Sequence, residues 1–558
     1  MSHTRNRQYA GVLITGGGIS GICTAIELIR RNNFRDFVIV EKSSQFGGTW
    51  NDNTYPGCCC DIWSHLYSFS FAPNSSWTRE FAEQEEIHQY LIRVAENWGL
   101  YQKARFNTEV EEARWDETKN NWKVKLRVGG GKEAEYGEYY TMTCDYLVSG
   151  VGQLNNPYYP KIPGLETFKH KIMHSARWDW THSLEGKKVG IIGSGATAAQ
   201  IIPEVAKVCN SLTVFQRTPN WVSPRGDRPI SATRQLAFRY LPWIRKLYRS
   251  HLMDVRESYH RVAAVLDSNE GSSLKQDALD HLACQIPDDI ELREKLTPGY
   301  PVGCKRVIMS DDLYPALNQP HVTLETASID SITSNGIQVP GKEYDLDVLI
   351  LATGFRTTEF LYPIKVYGLG GKSMEDIWKD GPCAFLGITV ESLPNFAMLY
   401  GPNTNLGHNS IILMIEAQAR YISAMLAPML KARANGQAFT IIPKSDRLKE
   451  YNASIQARLN ASTFAHPSCN SWYKTSDGVV TNNWCGTAVE YQKLLSTVDW
   501  DDYEVSGYSQ AFDPRNKVEK VGRVVEEAQV PFIGLSTIMV VLAAIVAGIV
   551  SKSSFFVP

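Results

Sequence analysis

Two glycine-rich turns, each lying between a short apolar strand and the start of a helix, constrain the fold of this chain more than any other feature. The first follows the apolar run Tyr9–Ile14 and reads Gly16-Gly17-Gly18-Ile19-Ser20-Gly21, a G-x-G-x-x-G pattern. The second follows Val189–Ile192 and reads Gly193-Ser194-Gly195-Ala196-Thr197-Ala198, a G-x-G-x-x-A pattern. Small residues there permit a tight turn, let backbone N–H groups approach a pyrophosphate and let the helix pack on the strand. One such turn is weak evidence, but two predict an α/β fold with two dinucleotide-binding units.

The residue that follows the second strand of each unit predicts which nucleotide the unit binds. In the first unit the strand Phe37–Val40 ends on Glu41, about 20 residues after Gly21, where a carboxylate accepts hydrogen bonds from a ribose diol. That carboxylate would repel a 2′-phosphate, so we expect FAD. In the second unit Arg217 stands in the corresponding region and suits a 2′-phosphate, although a solvated surface arginine is the alternative. We therefore expect FAD at Gly16, Gly18, Gly21 and Glu41, and NADPH at Gly193, Gly195, Thr197 and Arg217.

The chain of 558 residues is long enough for two or three domains. The strand and turn patterns predict two Rossmann-like domains. Asp347–Phe355 reads as a buried strand that returns the chain to the FAD domain. The predicted ranges are 9–155 for the first part of the FAD domain, 156–344 for the NADP domain with a helical insertion at about 230–300, 345–500 for the second part of the FAD domain with a lid segment, and 501–530 for a linker.

The C-terminus differs in composition from the rest of the chain. Residues 532–550 carry no charge over 19 positions, a length that suffices to cross a bilayer as a helix. Lys520, Arg523 and Lys552 flank this run. We expect a transmembrane tail anchor at 531–551, with the catalytic body on the cytosolic side of a membrane such as the endoplasmic reticulum. A buried terminal helix, or an apolar tail lying on the protein, is the alternative.

Charge and cysteine usage exclude several function classes. A formal net charge of −2 provides no basic surface for nucleic acid. The eleven cysteines show no evenly spaced framework, and the N-terminus lacks the apolar core of a signal peptide, so we expect reduced thiols. Cys58, Cys59 and Cys60 are adjacent, which suits neither a zinc site nor a C-x-x-C redox pair. We expect buried or partly buried thiols there and no metal.

Two loops and one late segment carry further candidate residues. Glycines in the loop Gly47–Trp50 permit close approach of the backbone to a ligand, so we assign Gly48, Thr49 and Trp50 to the FAD site. Asp61 ends the next loop and is either a turn or cap aspartate or an acid that faces the flavin. Lys305 and Arg306 are adjacent cations in a loop, a pattern that is usually a solvated pair. Trp472 lies in a polar and aromatic segment that could cover the site.

With these residues in place, the chain resembles the class B flavoprotein monooxygenases, and among them the Baeyer–Villiger monooxygenases, over residues 11–495. The family fingerprint F-x-G-x-x-x-H-x-x-x-W-[P/D] is matched in register by Phe168, His174, Trp178 and Asp179. His170 stands where the fingerprint has glycine. If that glycine provides backbone flexibility, His170 stiffens the connector between the two nucleotide units.

The resemblance implies both an activity and residue roles. Arg306 would be the catalytic arginine, Asp61 the acid that orients it, Lys305 a contact to the NADPH 2′-phosphate, and Trp472 a hydrogen-bond donor to the nicotinamide nucleotide. NADPH would reduce the flavin, which would add O₂ to form a C4a-peroxide that attacks a ketone and yields an ester or lactone. A guanidinium keeps its proton, so Arg306 could stabilise the peroxide anion and the oxyanion of the adduct without acidifying either.

Other functions remain open from the sequence. An oxygenase on the same scaffold that oxidises sulfur or nitrogen, or hydroxylates carbon, is the principal alternative, and His170 is its best support. A membrane-tethered flavoprotein that only scaffolds partners is disfavoured by two intact nucleotide sites. A disulfide reductase is disfavoured because no C-x-x-C accompanies the first glycine turn. The expected tail anchor suggests a lipophilic ketone, such as a secondary-metabolite, terpenoid or steroid-like ketone, taken from a membrane.

Overall fold

The computed structural model describes residues 8–131, 134, 137–507 and 517–524. Within these residues the chain forms one unit built on a mixed sheet, a second unit built on a parallel sheet, a helical insertion and small accessory sheets.

The strands in the first half of the chain are β1 (Tyr9–Thr15), β2 (Phe37–Val40), β3 (Ala104–Arg105), β4 (Thr108–Asp116), β5 (Asn121–Val128), β6 (Tyr139–Ser149), β7 (Lys171–His174), β8 (Lys188–Ile192), β9 (Ser211–Phe215) and β10 (Val222–Ser223). Those in the second half are β11 (Ile308–Met309), β12 (Val322–Glu325), β13 (Ser331–Ile332), β14 (Gly336–Val339), β15 (Lys342–Asp345), β16 (Val348–Leu351), β17 (Lys365–Tyr367), β18 (Phe396–Met398), β19 (Phe439–Pro443), β20 (Thr497–Asp499), β21 (Tyr503–Gly507) and β22 (Val518–Lys520). The α-helices are α1 (Ile19–Asn32), α2 (Thr49–Asp52), α3 (Gln84–Asn97), α4 (Ala196–Ala206), α5 (Ala232–Tyr240), α6 (Pro242–Ser258), α7 (His260–Ala264), α8 (Asn269–Gln285), α9 (Ile290–Leu296), α10 (Leu313–Leu317), α11 (Met374–Ile377), α12 (Ile411–Ala434), α13 (Ser445–Asn460) and α14 (Ala488–Leu494).

The first unit is built on a mixed sheet in the order β17-β4-β5-β6-β1-β2-β3, with β18 pairing with β6. β1 is a central strand that pairs in parallel with β2 and β6. Its residues from Ala10 to Thr15 are all buried, because a central parallel strand is covered on both faces. α1 follows the glycine turn and packs against α12, where the Asn32 side chain donates to the Ser423 carbonyl over 2.9 Å.

The second unit is an all-parallel sheet in the order β12-β9-β8-β16-β7. β16 pairs with both β8 and β7. The expectation that the buried strand at Asp347–Phe355 returns the chain to the FAD domain is therefore wrong, since this strand lies in the second sheet. An apolar run ending in a glycine turn does not distinguish between two parallel sheets. The chain rejoins the first sheet later, at β17, which pairs with β4.

The predicted helical insertion consists of α5 to α9, between β10 and β11. Its helix α6 contacts the loop that follows Asp61 in the first unit. Arg249 donates to the carbonyl of His65 over 2.7 Å, and Arg256 donates to the carbonyl of Asp61 over 2.6 Å. The insertion therefore packs on the first unit and brings arginines of the middle of the chain to its loops.

One cysteine pair differs from the expectation of reduced thiols. Cys304 and Cys469, which are 165 residues apart in sequence, form a disulfide. Both are buried beside Trp221 and Tyr300. Spacing along the sequence could not predict this pair, since only the fold brings the two segments together. Cys58 and Cys60 are buried thiols and Cys59 is partly buried, as expected.

The prediction of a C-terminal transmembrane helix is corrected. Among the helices of the described residues, none combines the length and the apolar character that a membrane crossing requires. The segment 531–551, on which the prediction rested, lies outside the described residues. An uncharged run of 19 residues is near the lower limit for a span and is also compatible with burial in protein. The predicted transmembrane helix, the membrane anchor and the endoplasmic reticulum localisation are therefore not supported.

Candidate active site

The centre of the site is an ion pair between Asp61 and Arg306, which are 245 positions apart in sequence. Arg306 Nε donates to Asp61 Oδ2 over 2.5 Å, and a terminal guanidinium nitrogen donates to Oδ1 over 2.7 Å. The other terminal nitrogen donates to the Leu406 carbonyl over 3.2 Å. This two-point contact fixes the plane of the guanidinium as well as its position. The structure thus joins the acid and the arginine that the resemblance assigned to one centre.

A second arginine, Arg256 of the insertion, supports Asp61 from the main chain. It donates to the Asp61 carbonyl, and its guanidinium lies 4.8 Å from the centroid of the Trp63 ring. Burial lowers the pKa of Arg256 to about 10, while the Asp61 carboxylate opposes that shift. Arg256 therefore stays protonated at neutral pH and contributes a second positive charge close to the ion pair.

The two cations decide the protonation state of Asp61. Burial alone would raise the pKa of Asp61, but the Arg306 guanidinium, with a smaller contribution from Arg256, outweighs burial, so the pKa of this carboxyl is lowered. Burial lowers the pKa of Arg306, and the Asp61 carboxylate reverses this effect and raises it above the ordinary arginine value. Both groups are charged at neutral pH. The side chains are 25% and 29% exposed for Arg306 and Asp61, so a small molecule can reach them.

The loop that carries Asp61 is held against the second unit. The Tyr55 hydroxyl donates to the side chain of Gln200 on α4 over 2.9 Å, and Gln200 in turn donates to the Cys59 carbonyl over 3.1 Å. Arg225 donates to the Cys59 thiol over 2.7 Å. Because α4 begins at the second glycine turn, these contacts connect the Asp61 loop to the second nucleotide site.

A cavity in the first unit is lined by the residues predicted to bind FAD. Its wall includes Gly16, Gly18, Glu41, Gly48 and Thr49. Gly16 has φ +100°, and a Cβ on Gly21 would lie 1.9 Å from the Gly16 carbonyl oxygen, so both positions require glycine. Gly16 and Gly18 line the cavity without a side chain, so their backbone can approach a pyrophosphate. Trp50 is buried beside the cavity, and its ring N–H donates to the Tyr67 hydroxyl over 3.1 Å.

Glu41 lies at the end of β2 and organises the glycine turn. Its carboxylate accepts hydrogen bonds from the backbone N–H groups of Gly17 over 2.6 Å and of Ser43 over 2.7 Å. Burial raises the pKa of Glu41, and these two N–H donors oppose that rise. Each carboxylate oxygen has a second lone pair, so the group can also accept from a ribose hydroxyl.

The second nucleotide turn lies at the end of β8. Gly193 has φ +122°, and a Cβ on Gly195 would meet nothing within 4 Å, so the backbone there is open to a ligand. The Lys305 ammonium lies 4.7 Å from the centroid of the Tyr300 ring. Burial, together with the positive charge of Arg217, lowers the pKa of Lys305 to about 8. The positive charge of Arg217 thus acts on Lys305, and two cations this close together are suited to bind an anion.

Comparisons with known proteins agree with this geometry. A family model described as flavin-binding monooxygenase-like matches residues 10–257. The FAD-binding monooxygenase ktnD of Aspergillus niger is 47% identical over 530 residues, which cover 95% of this chain and 87% of that protein. A Baeyer–Villiger monooxygenase of Streptomyces coelicolor is 38% identical over 504 residues, which cover 90% of this chain and 94% of that protein. This chain belongs to the Baeyer–Villiger monooxygenase family.

Solved structures give the same result for this Baeyer–Villiger monooxygenase. OTEMO in complex with FAD and NADP superposes with a TM-score of 0.78 at 27% identity, covering 89% of this chain and 99% of that chain. Oxidised steroid monooxygenase bound to NADP superposes with a TM-score of 0.77 at 26% identity, covering 89% and 99%. The chain is an FAD-dependent NADPH monooxygenase, and the predicted cofactors and Baeyer–Villiger oxidation are confirmed.

The fingerprint residues form the connector between the two units. Phe168 is buried, and the His170 ring lies edge-on to it at 5.6 Å between centroids. The His170 backbone lies outside the left-handed region, so glycine is not required there. Trp178 packs against the core of the second unit, and the Asp179 carboxylate accepts from the Lys171 ammonium and the Thr181 hydroxyl.

His174 is the most constrained of the fingerprint residues. It ends β7, is 2% exposed, and accepts from the Ala176 N–H over 3.1 Å through Nδ1. Its Nε2 lies 3.3 Å from the hydroxyl of Thr353, just beyond β16. Burial lowers the pKa of His174 to about 4, so the ring is neutral. These contacts indicate that His174 fixes the connector to the second sheet.

The late segment places Trp472 at the surface and its neighbour in the interior. Trp472 is 36% exposed, and its carbonyl accepts from the Thr357 hydroxyl over 2.9 Å. Sequence reasoning missed Tyr473, which is buried and lies close to Arg306, and Arg256, which donates to the Asp61 carbonyl. Tyr473 follows a residue that was already singled out, so adjacency was an available signal. No sequence signal pointed to Arg256, because it is one of many basic residues in the insertion.

Proposed function

We propose that this monooxygenase inserts one oxygen atom next to the carbonyl of an apolar ketone, with Arg306 as the catalytic arginine and Asp61 as the residue that orients it. The observation that carries the proposal is the two-point Asp61–Arg306 pair, which lies where a loop of the first unit meets the second. FAD, reduced by NADPH, supplies the activation of O₂ when bound. The protein supplies position, charge and exclusion of water.

The hydrogen bonds of Arg306 leave part of the guanidinium free for the substrate. A guanidinium has five N–H donors. Three contacts use one donor each, two of them to Asp61 and one to the Leu406 carbonyl. The remaining donors support binding of the oxygen on which negative charge develops. Because the pKa of Arg306 is raised, the group stabilises that charge without transferring a proton.

The two glycine turns and the charged residues near them support two nucleotide sites. We propose that FAD binds along the cavity of the first unit, with Glu41 on the ribose and the bare backbone of Gly16 and Gly18 on the pyrophosphate. We propose that NADPH binds at the second turn, with Arg217 and Lys305 on the 2′-phosphate and Trp472 on the nicotinamide nucleotide. The further site residues in these proposals are Gly21, Gly48, Thr49, Trp50, Gly193, Gly195 and Thr197.

We propose a ketone with an apolar body as the substrate. The similarity to steroid monooxygenase supports a secondary-metabolite, terpenoid or steroid-like ketone as the substrate class.

The test uses the full-length enzyme loaded with FAD, with NADPH and ¹⁸O₂. Cyclic and steroid ketones and one thioether are offered separately, and products are followed by mass. Wild type should convert at least one ketone to an ester or lactone that contains one labelled oxygen. Arg306→Ala should abolish this product while NADPH still reduces the flavin. Arg306→Lys should also fail, because an ammonium cannot make the two-point contact.

The matched control is Arg356→Ala, which removes an exposed arginine paired with Glu359. It should leave product formation unchanged. The proposed assignment is refuted if Arg306→Ala still makes the ester, or if no ketone is oxidised while the thioether is.

A further inference from the structure

Tyr473 lies next to the Asp61–Arg306 pair, and its ring is tightly packed. The Tyr473 side chain is 0% exposed. Its ring centroid lies 4.5 Å from that of Trp472 and 5.7 Å from that of Phe464. Its carbonyl accepts from the backbone N–H of Thr481 over 3.1 Å. The ring cannot swing away from the site without opening this packing.

The hydroxyl of Tyr473 differs from those of the other two tyrosines near the pair. The Tyr400 hydroxyl donates to the Asn405 side chain over 2.8 Å. The Tyr67 hydroxyl accepts from the Trp50 ring N–H over 3.1 Å. Among the described residues, no group makes a hydrogen bond of full geometry with the Tyr473 hydroxyl. Burial of a hydroxyl without a hydrogen-bond partner destabilises the folded state unless a ligand supplies the missing partner.

The groups that approach the Tyr473 oxygen are donors, not acceptors. The backbone N–H of Arg306 and the side-chain amide of Asn483 face it and favour its ionised form. The Arg306 guanidinium acts in the same direction. The oxygen therefore has donors near its lone pairs, while the O–H proton has no acceptor among the described residues.

The charge state of this hydroxyl is also defined. Burial, with a smaller effect of the Asp61 carboxylate, raises the pKa of Tyr473 to about 12, and Arg306 limits the rise. The hydroxyl is neutral and protonated at working pH. It can donate a hydrogen bond to an oxyanion while keeping its proton.

We propose that the Tyr473 hydroxyl donates a hydrogen bond to the carbonyl oxygen of the ketone, so that Tyr473 and Arg306 together bind that oxygen as it becomes an oxyanion. This assignment rests on the proposed ketone oxidation. It makes Tyr473 a catalytic residue of this enzyme. It also explains why a buried tyrosine beside a guanidinium keeps an unused donor.

The test is Tyr473→Phe, which removes one oxygen atom and keeps the packed ring. Loss of one donor to an oxyanion lowers turnover by about 100-fold or more. We expect that fall for ketone oxidation, whereas oxidation of a thioether, which develops no carbonyl oxyanion, should stay within about threefold of wild type. Binding of the ketone without turnover, followed as the change in absorbance of the oxidised flavin, should weaken. The rate of anaerobic flavin reduction by NADPH should not change.

The matched control is Tyr146→Phe. Tyr146 lies on β6, is also 0% exposed, and its hydroxyl also makes no hydrogen bond of full geometry with a described residue. This variant should behave as wild type with both substrates. The inference is overturned if Tyr473→Phe oxidises the ketone at the wild-type rate, or if ketone and thioether oxidation fall together with flavin reduction. If wild type itself oxidises no ketone, the proposed function has failed, and this result is distinct from a failure of the Tyr473 assignment.

Discussion

The affinity for NADPH should fall as pH rises through about 8, because Lys305 loses its proton there. Burial and the charge of Arg217 lower the pKa of Lys305 from the ordinary 10.5 to about 8 in the free enzyme. A 2′-phosphate requires the protonated form. About nine-tenths of the ammonium is present at pH 7 and about one-tenth at pH 9. The dissociation constant of NADPH should therefore rise by up to about tenfold per pH unit above 8, until the pKa of the bound state is reached.

Substitution of each of the two cations should change this pH profile in a different way. Arg217→Gln removes a phosphate contact and should weaken NADPH by about 10- to 100-fold at pH 7. It also removes one of the two causes of the low Lys305 pKa, so the midpoint of the pH profile should move above 8. Lys305→Arg should abolish the midpoint, because a guanidinium does not titrate in this range.

The assay is stopped-flow reduction of the flavin under anaerobic conditions, with the dissociation constant taken from saturation of the rate between pH 6.5 and 10. NADH is the internal control, since it has no 2′-phosphate and should show no such dependence. A flat profile for NADPH, or an identical profile for NADH, would refute the assignment of Lys305 to the phosphate.

Three further substitutions test other contacts. Asp61→Asn should lower ketone turnover on the order of 100-fold, because the guanidinium loses its two-point partner and a misplaced group costs about that much; a wild-type rate in steady-state assays would count against an orienting role. Reduction of the Cys304–Cys469 disulfide, or Cys304→Ser, should lower the free energy of unfolding by about 2–4 kcal/mol, measured by denaturant titration with and without reductant. Gly21→Ala should yield protein without flavin, read from the ratio of flavin to protein absorbance, because the new Cβ would lie 1.9 Å from the Gly16 carbonyl oxygen.

Much of the fold could be predicted because local sequence encodes it. The turn requires glycine at position 16 for steric reasons. The strand, turn and helix could therefore be predicted from the amino-acid sequence alone. The assignment of β16 to the wrong sheet has a physical cause. Strand pairing is a long-range property, and the buried parallel strands of the two sheets present the same apolar pattern.

Part of the site could also be predicted, because some of its residues lie in local sequence motifs. Asp61 and Arg306 could be matched to family motifs, whereas their contact spans 245 positions and is visible only in the folded chain. Arg256 and Tyr473 act through position alone: one holds a carbonyl, and the other places a hydroxyl beside a guanidinium. Nothing in residue type distinguishes them from other arginines and tyrosines of the chain.

The balance of charge is consistent with the proposed binding of both a nucleotide and an oxygen anion at neighbouring positions. Asp61 is held by Arg306 and supported by Arg256, so the carboxylate neutralises only part of the positive charge around it. Lys305, next to Arg306, lies close enough to Arg217 for that guanidinium to lower the Lys305 pKa. In the proposed sites a 2′-phosphate would relieve the repulsion between Lys305 and Arg217, and the free N–H donors of Arg306 would bind the oxyanion. Binding of NADPH should therefore favour the protonated form of Lys305 and leave Arg306 committed to Asp61 and the substrate oxygen.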